Sequence, residues 1–276
     1  MPHIVFVVVL SAALLHAIWN AIVKSATDKF LTTILVTASA ALISAAVLPF
    51  LAAPTPASWP YAAASAVLQI TYFVLVSRAY QVADMSQTYP LMRGTAPLLV
   101  ALVTVFQFGE PLSPTAWLGV IAVCVGVFSI AAGCNVARTG VYLALLNAVV
   151  IAGYTLIDGM GVRLSRAPAA YTLWVFLLTG LPLTIWAIAV KRVTFIPYAV
   201  RYWSIGVAGG VGTTASYGLA LWAMTLAPVA IVAALRETSI LFAMMIAGLV
   251  LKEPVGLRRI ISGCIIAGGA VALRLA

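Results

Sequence analysis

The sequence predicts an all-α integral membrane protein of ten transmembrane helices, arranged as two inverted five-helix repeats. Three observations carry this. Of 276 residues, 64% are hydrophobic and only 8% are charged, against about 25% charged in a soluble domain. The apolar residues run continuously, in stretches near the roughly 20 residues that span hydrocarbon. The second half of the chain also repeats a stretch of the first at a fixed offset.

Lys and Arg number 15 and Asp and Glu 6. So few charges cannot clothe a water-exposed surface, which excludes a soluble enzyme, a disordered chain and a nucleic-acid binder. The formal charge of +9 fits basic residues gathered in the loops of one membrane side, and no basic run interleaves with aromatics. Cys124, Cys134 and Cys264 show no paired spacing and read as small core residues. The opening MPHIVFVVVLSAALL lacks a basic leader and a clear cleavage site, so it is expected to remain as the first span.

Runs bounded by Pro, Gly or charge place the spans at 3–23, 32–52, 59–80, 85–108, 113–133, 139–158, 170–190, 201–223, 228–251 and 256–274. Lys24 closes the first. Pro54 and Pro56 separate the second from the third, and Asp84 precedes the fourth. Gly109-Glu110-Pro111 ends the fourth, and Arg138 opens the sixth. Lys191-Arg192 ends the seventh, Pro228 opens the ninth, and Lys252-Glu253-Pro254 ends it. Barrel strands are excluded, because they alternate apolar and polar over about 10 residues.

Sliding the chain by 143 residues lays MRGTAPLLVALVTVFQFGEPL on LRETSILFAMMIAGLVLKEPV without a gap. Arg93 meets Arg236, Thr95 meets Thr238 and Leu98 meets Leu241. Glu110-Pro111 meets Glu253-Pro254, and Gly126 meets Gly269. Arg and Glu are rare here, so their coincidence at one offset marks a repeat. The fourth and fifth spans then recur as the ninth and tenth, with five spans per repeat in residues 1–137 and 138–276. An odd number starts the second copy on the opposite membrane face. That is an inverted repeat, which places a substrate site near the midplane between the halves.

These residues resemble the drug/metabolite transporter superfamily, specifically its EamA-type branch. HAIWNAIVK in the first span, YPLMRGTAPL in the fourth and ALRETSILFAMMIAGLVLKEP in the ninth are similar to stretches of that branch. The resemblance covers essentially the whole chain. It implies a multi-pass protein of the cell membrane, a bacterial inner membrane, that moves amino acids, other small metabolites or drugs, often outward. Aromatic amino-acid exporters are among such proteins. Small four-helix relatives dimerise through their last helix, whereas a fused chain can work as a monomer, so both a monomer and a homodimer stay open.

In lipid, polar side chains mark protein-facing or water-facing stripes. His16, Asn20 and Lys24 follow at i, i+4 and i+8 on the first span, beside Trp19. The third carries Gln69, Tyr72 and Tyr80, and the fourth Gln87, Thr88, Tyr89, Arg93 and Thr95. The sixth carries Asn147, Tyr154 and Asp158. The eighth carries Thr213, Ser216, Tyr217 and Trp222, and the ninth Arg236, Glu237 and Thr238. Spans 1, 3, 4, 6, 8 and 9 are therefore expected to line a cavity, with 2, 5, 7 and 10 bracing it. The resulting candidate substrate-binding set is His16, Trp19, Asn20, Tyr72, Tyr80, Tyr89, Arg93, Tyr154, Tyr217, Trp222, Arg236 and Glu237.

Arg93 and Arg236 lie about eight or nine residues into their spans, or ~12–14 Å deep at ~1.5 Å per residue. An intramembrane charge costs at least ~2.5 kcal/mol and marks function by default. The structural alternative is a strut to Glu237 or to backbone carbonyls. His16, which titrates near neutral pH in water, and Glu237 are candidate proton carriers, and a hydrogen-bonded core histidine is the alternative for His16. Asp158 and Lys24 read as interfacial anchors near span ends. Trp59, Tyr61, Tyr171, Tyr198, Tyr202 and Trp203, at span starts, read as an aromatic belt. Trp19, Tyr89, Tyr154 and Tyr217 sit mid-span and would suit an aromatic or amphiphilic ligand.

The Glu-Pro pairs read as helix ends. Gly119, Gly126, Gly263, Gly268 and Gly269 give spans five and ten a packing or dimer face. Loops on the side of the first connection hold Lys24, Lys29, Arg138, Lys191, Arg192, Arg201, Lys252, Arg258 and Arg259. The other side holds Arg163, Arg166 and Arg274. That asymmetry puts both termini outside, although family habit often puts them inside. No Gly-rich phosphate loop is present, so no nucleotide, metal or other cofactor is expected. With only His3 and His16, no catalytic set has the spacing an intramembrane enzyme needs. An inverted repeat favours alternating access over a channel. The expected partners are a small-molecule substrate and the lipid bilayer.

Overall fold

The computed structural model of the protein describes residues 1–83, 85–131, 138–249 and 256–276, and the side chains of all of these but residues 80, 85–87 and 131. Cys134 and the second Glu-Pro pair, Glu253-Pro254, lie outside the described residues, as do the side chains of Tyr80 and Gln87. No strand occurs among the described residues.

The helices are α1 (His3–Ser25), α2 (Lys29–Val47), α3 (Trp59–Val82), α4 (Met85–Phe108), α5 (Pro114–Ala131), α6 (Arg138–Ser165), α7 (Pro168–Met224), α8 (Val229–Arg236), α9 (Ser239–Leu249) and α10 (Leu257–Leu275). Among the described residues, seven helical stretches are long and apolar enough to cross a membrane. Apolar α5 is shorter, and α10 carries Arg258, Arg259 and Arg274.

Two elements differ from the sequence expectation. Helical backbone runs through the seventh span, the connection and the eighth span, 57 residues in all, but kinks divide it into three pieces. Straight, it would run about 86 Å, nearly three times a ~30 Å hydrocarbon core. It bends instead, leaving helical geometry at Lys191 (φ −118°) and Tyr202 (φ −115°). The middle piece stays helical because Phe195 is buried against Leu31, Ile34, Leu35, Ala38 and Ala187. The Tyr198 hydroxyl also meets the Thr32 hydroxyl at 2.6 Å. The expected ninth span changes its hydrogen bonding for one turn. Between α8 and α9, Glu237 N donates to Ala234 O, Thr238 N to Leu235 O and Ile240 N to Glu237 O. These i→i+3 bonds tighten the helix in the middle of its apolar run, a geometry common at functional sites.

Polarity is distributed as lipid demands. Phe50, Phe106, Val193 and Leu249 are exposed, while Ser65, Thr88, Arg93, Asn147, Asp158, Arg236 and Glu237 are buried. α2 packs on α7, α5 on α10, α3 on α6, α1 on α7, α4 on α6 and α1 on α9. Of the expected glycines, Gly119, Gly126 and Gly269 form the α5–α10 contact, whereas Gly263 faces Leu241 and Met244 of α9 and Gly268 faces open space. A Cβ on Gly126 would stand 2.6 Å from Ile266, and one on Gly269 would stand 2.9 Å from the Gly119 carbonyl. The two glycine faces thus pack on each other within the chain.

Connections meet in two groups. Tyr198 reaches the start of α2, bonding the Asp28 carbonyl at 3.3 Å. Elsewhere, Thr55 joins the Leu164 carbonyl at 2.8 Å and the Ser165 carbonyl at 3.1 Å. Arg163 donates to Glu110 Oε1 at 2.9 Å and to the Met224 and Ala227 carbonyls at 2.8 and 3.1 Å. Gly109 sets up that contact. Its φ of +63° is a left-handed turn that glycine adopts freely, and it lets Glu110 N bond back to the Thr104 carbonyl at 3.2 Å.

Candidate functional site

Two polar centres occupy the core. In the first, Arg93 of α4 donates from Nε to Glu237 Oε2 at 2.9 Å, and both residues are buried. Glu237 lies in the tightened turn after α8, so one ion pair joins the two halves of the chain. Arg236, adjacent and buried, sets its guanidinium 5.0 Å from the centre of the Tyr217 ring. Arg93 stands 6.0 Å from the Tyr89 ring. A cavity of about 10 Å³ lies between Arg93, Arg236, Glu237, Tyr154, Pro97 and Ala233, which is the scale of one water molecule. Arg93 Nη2 is buried and has no hydrogen-bond acceptor. A buried guanidinium donor left without a partner is costly.

The second centre is Asp158 on α6, which is fully buried. Ser65 donates to its Oδ2 at 2.8 Å, Tyr171 to its Oδ1 at 2.9 Å, Gln69 to Oδ2 at 3.4 Å, and Tyr217 also donates to Oδ2. Donors from α3 and α7 thus converge on one carboxylate. The reading of Asp158 as an interfacial anchor is corrected. α6 continues past it to Ser165, so Asp158 is about 10 Å short of the helix end at ~1.5 Å per residue. The belt reading of Tyr171 is corrected as well, since it is fully buried and bound to Asp158. Tyr217 touches both centres, donating to Asp158 while its face carries Arg236.

Gly161 makes the Tyr171 contact possible. A Cβ there would lie 2.6 Å from Tyr171 Cζ, 2.7 Å from Tyr61 Cβ and closer still to the Tyr171 hydroxyl. Gly161→Ala is therefore expected to displace Tyr171 from Asp158 and to destabilise the protein by about 1–3 kcal/mol, as overpacking does. Thermal unfolding in detergent checks this, with Tyr171→Phe as the control that removes the bond without a clash.

The other predicted residues divide. Tyr72 and Tyr154 meet edge to face at 6.2 Å, and Tyr154 and Tyr217 at 6.5 Å, so an aromatic row leads to the arginines. On α1, His16 meets Trp19 edge to face at 5.3 Å. Trp19 Nε1 is a second buried donor without a partner. Asn20 turns back to the His16 carbonyl at 2.7 Å and so stays within α1. Trp222 packs on the main hydrophobic core at the last turn of α7, with no ring contact to the arginines. Lys24 is exposed at the end of α1. Among the described residues, no three His, Cys, Asp or Glu gather into a metal-sized cluster.

No curated protein matches the chain significantly. Among 28 solved chains that match, one, described as "Crystal structure of protein", covers 100% of this chain and 98% of its own at 20% identity and a TM-score of 0.79. At that identity the likeness speaks for the fold alone. Two stretches, residues 3–132 and 138–275, each match the EamA-like transporter family. The chain is a multi-pass membrane protein that belongs to the EamA-like transporter family.

Proposed function

We propose that the protein is a secondary transporter that exports amino acids or similar small carboxylate-bearing metabolites by alternating access. The carrying observation is the buried Arg93 Nη2, a donor without a partner, on a side chain that lines a small cavity with Arg236 and Glu237. The two arginines take the substrate carboxylate. Glu237 and the Tyr154 and Tyr217 rings take its ammonium group. His16, Trp19 and Tyr72 complete the wall.

In this reading the chain crosses the membrane ten times, in inverted halves 1–137 and 138–276. Swapping the halves exchanges α3·α6 with α1·α7 and α4·α6 with α1·α9, and returns α2·α7 and α5·α10 to themselves. The tightened turn at Glu237 supports a site within this span, because a short 3-10 stretch inside a helix often marks a functional hinge. The charge count supports both termini outside a bacterial inner membrane. Export of drugs or other organic solutes is the runner-up, supported by the aromatic row alone.

Uptake of labelled amino acids into proteoliposomes, in competition with the matching amines and carboxylates, tests the substrate class. Amino acids and carboxylates should compete and amines should not. Competition by amines alone would reject it.

A further inference from the structure

A second cavity, of about 190 Å³, lies outside the central site and is lined by Thr104 and Phe108 of α4, Leu156, Met160 and Arg163 of α6, Val229 of α8, and Glu110. The same three helices line the central cavity one turn away. Val100 stands there in place of Thr104, Thr155 precedes Leu156, and Ala233 stands in place of Val229. Four residues of helix separate the two spaces, about 6 Å.

The outer cavity has its own polar equipment. Thr104 is buried, and its hydroxyl has no hydrogen-bond partner. At the mouth, Arg163 and Glu110 pair at 2.9 Å with side chains 34% and 40% exposed. Water reaches such a pair, so its two charges exchange partners readily. Arg163 would keep its place when Glu110 lets go, because the Met224 and Ala227 carbonyls hold it. Adjacent opposite charges over an apolar wall complement a small zwitterion with an apolar side chain. On the scale at which one water needs about 10–15 Å³, the cavity has room for a small molecule of this kind.

We propose that this cavity is a second substrate site on the translocation path, which binds a small apolar α-amino acid with its carboxylate on Arg163, its ammonium group on Glu110 and a hydrogen bond to Thr104. The inference rests on the proposed amino-acid transport, and its test separates the two.

With Cys124, Cys134 and Cys264 replaced by Ala, the near-isosteric Thr104→Cys gives a single thiol in the cavity. Its modification by 2-sulfonatoethyl methanethiosulfonate is timed with and without L-leucine, L-methionine, L-phenylalanine or L-threonine. At ten times its Kd, a bound amino acid should slow the reaction about tenfold. Isopentylamine and 4-methylpentanoate, each lacking one charge, should protect far less than L-leucine does. Arg163→Gln or Glu110→Gln should abolish protection, whereas Glu237→Gln in the central site should preserve it. A thiol that never reacts, or one that none of the four amino acids protects, overturns the outer site. If uptake of the same amino acids is intact, the transport reading survives that failure, and if uptake is absent too, both fall.

Discussion

Glu237→Gln will lower transport more than about tenfold, equivalent to at least ~1.4 kcal/mol of lost coupling, while folded protein persists in the membrane. Glu237 is the carboxylate bound to Arg93, and both groups are buried. Removing one member of a buried pair typically costs about 3–5 kcal/mol, because the other charge stays uncompensated. The amide oxygen of Gln still accepts from Arg93 Nε, which holds the folding loss toward the lower end. In the proposed binding mode transport has no such substitute, since the substrate ammonium group and the arginine would compete for a charge that is gone. The double variant Arg93→Gln, Glu237→Gln separates strut from site. It removes both charges, so protein yield and thermal stability should recover while uptake stays low. Restored uptake in the double variant would assign the pair a structural role only.

Asp158→Asn is expected to cause the second-largest loss, this time in stability first. Three hydroxyls and one amide donate to this carboxylate. An asparagine offers one acceptor oxygen and turns an NH₂ group toward donors. With the amide oxygen on the Ser65, Gln69 and Tyr217 side, the NH₂ donates to the Tyr171 hydroxyl, whose own O–H loses its acceptor, at about 1–3 kcal/mol. Tyr217 also carries Arg236 on its face, so its displacement should weaken substrate binding too. Unfolding in detergent and the apparent uptake affinity are the two readouts. Ser65→Ala, which removes one of the three donors to Oδ2 and leaves that oxygen bonded, should cost clearly less. An Asp158→Asn protein as stable and as active as the parent would show that the four donors do not depend on the charge.

The helices were legible because each is a continuous apolar run, and a bilayer permits little else. Arg93, Arg236 and Glu237 were legible for a related reason: a charge far from a span end has few bland explanations. The 143-residue offset made Arg93 and Arg236 equivalent positions, and the packing then showed that Arg93 bonds Glu237. Asp158 was misplaced because the sixth run was ended at the charge itself. The residues beyond it, Gly159, Met160, Gly161 and Val162, are apolar or small and carry α6 on to Ser165. The i, i+4 pairs Ser65–Gln69 and Tyr154–Asp158 were the available signal, but only tertiary packing shows that they face each other. The continuous α7 was illegible from charge. Lys191, Arg192 and Arg201 look like a loop, and the burial of Phe195 under α2 decides otherwise. The outer cavity had no sequence signature, since Thr104, Glu110 and Arg163 come together only through the Gly109 turn and the end of α6.

Alternating access through the central cavity is tested most directly by solute counterflow. Proteoliposomes preloaded with unlabelled amino acid, and given a trace of the labelled one outside, should take up label faster than unloaded vesicles and should accumulate it transiently above the external level. The Glu237→Gln protein should lose this acceleration. Uptake that is equally fast with and without preloading would mean an open pore, and would contradict the account.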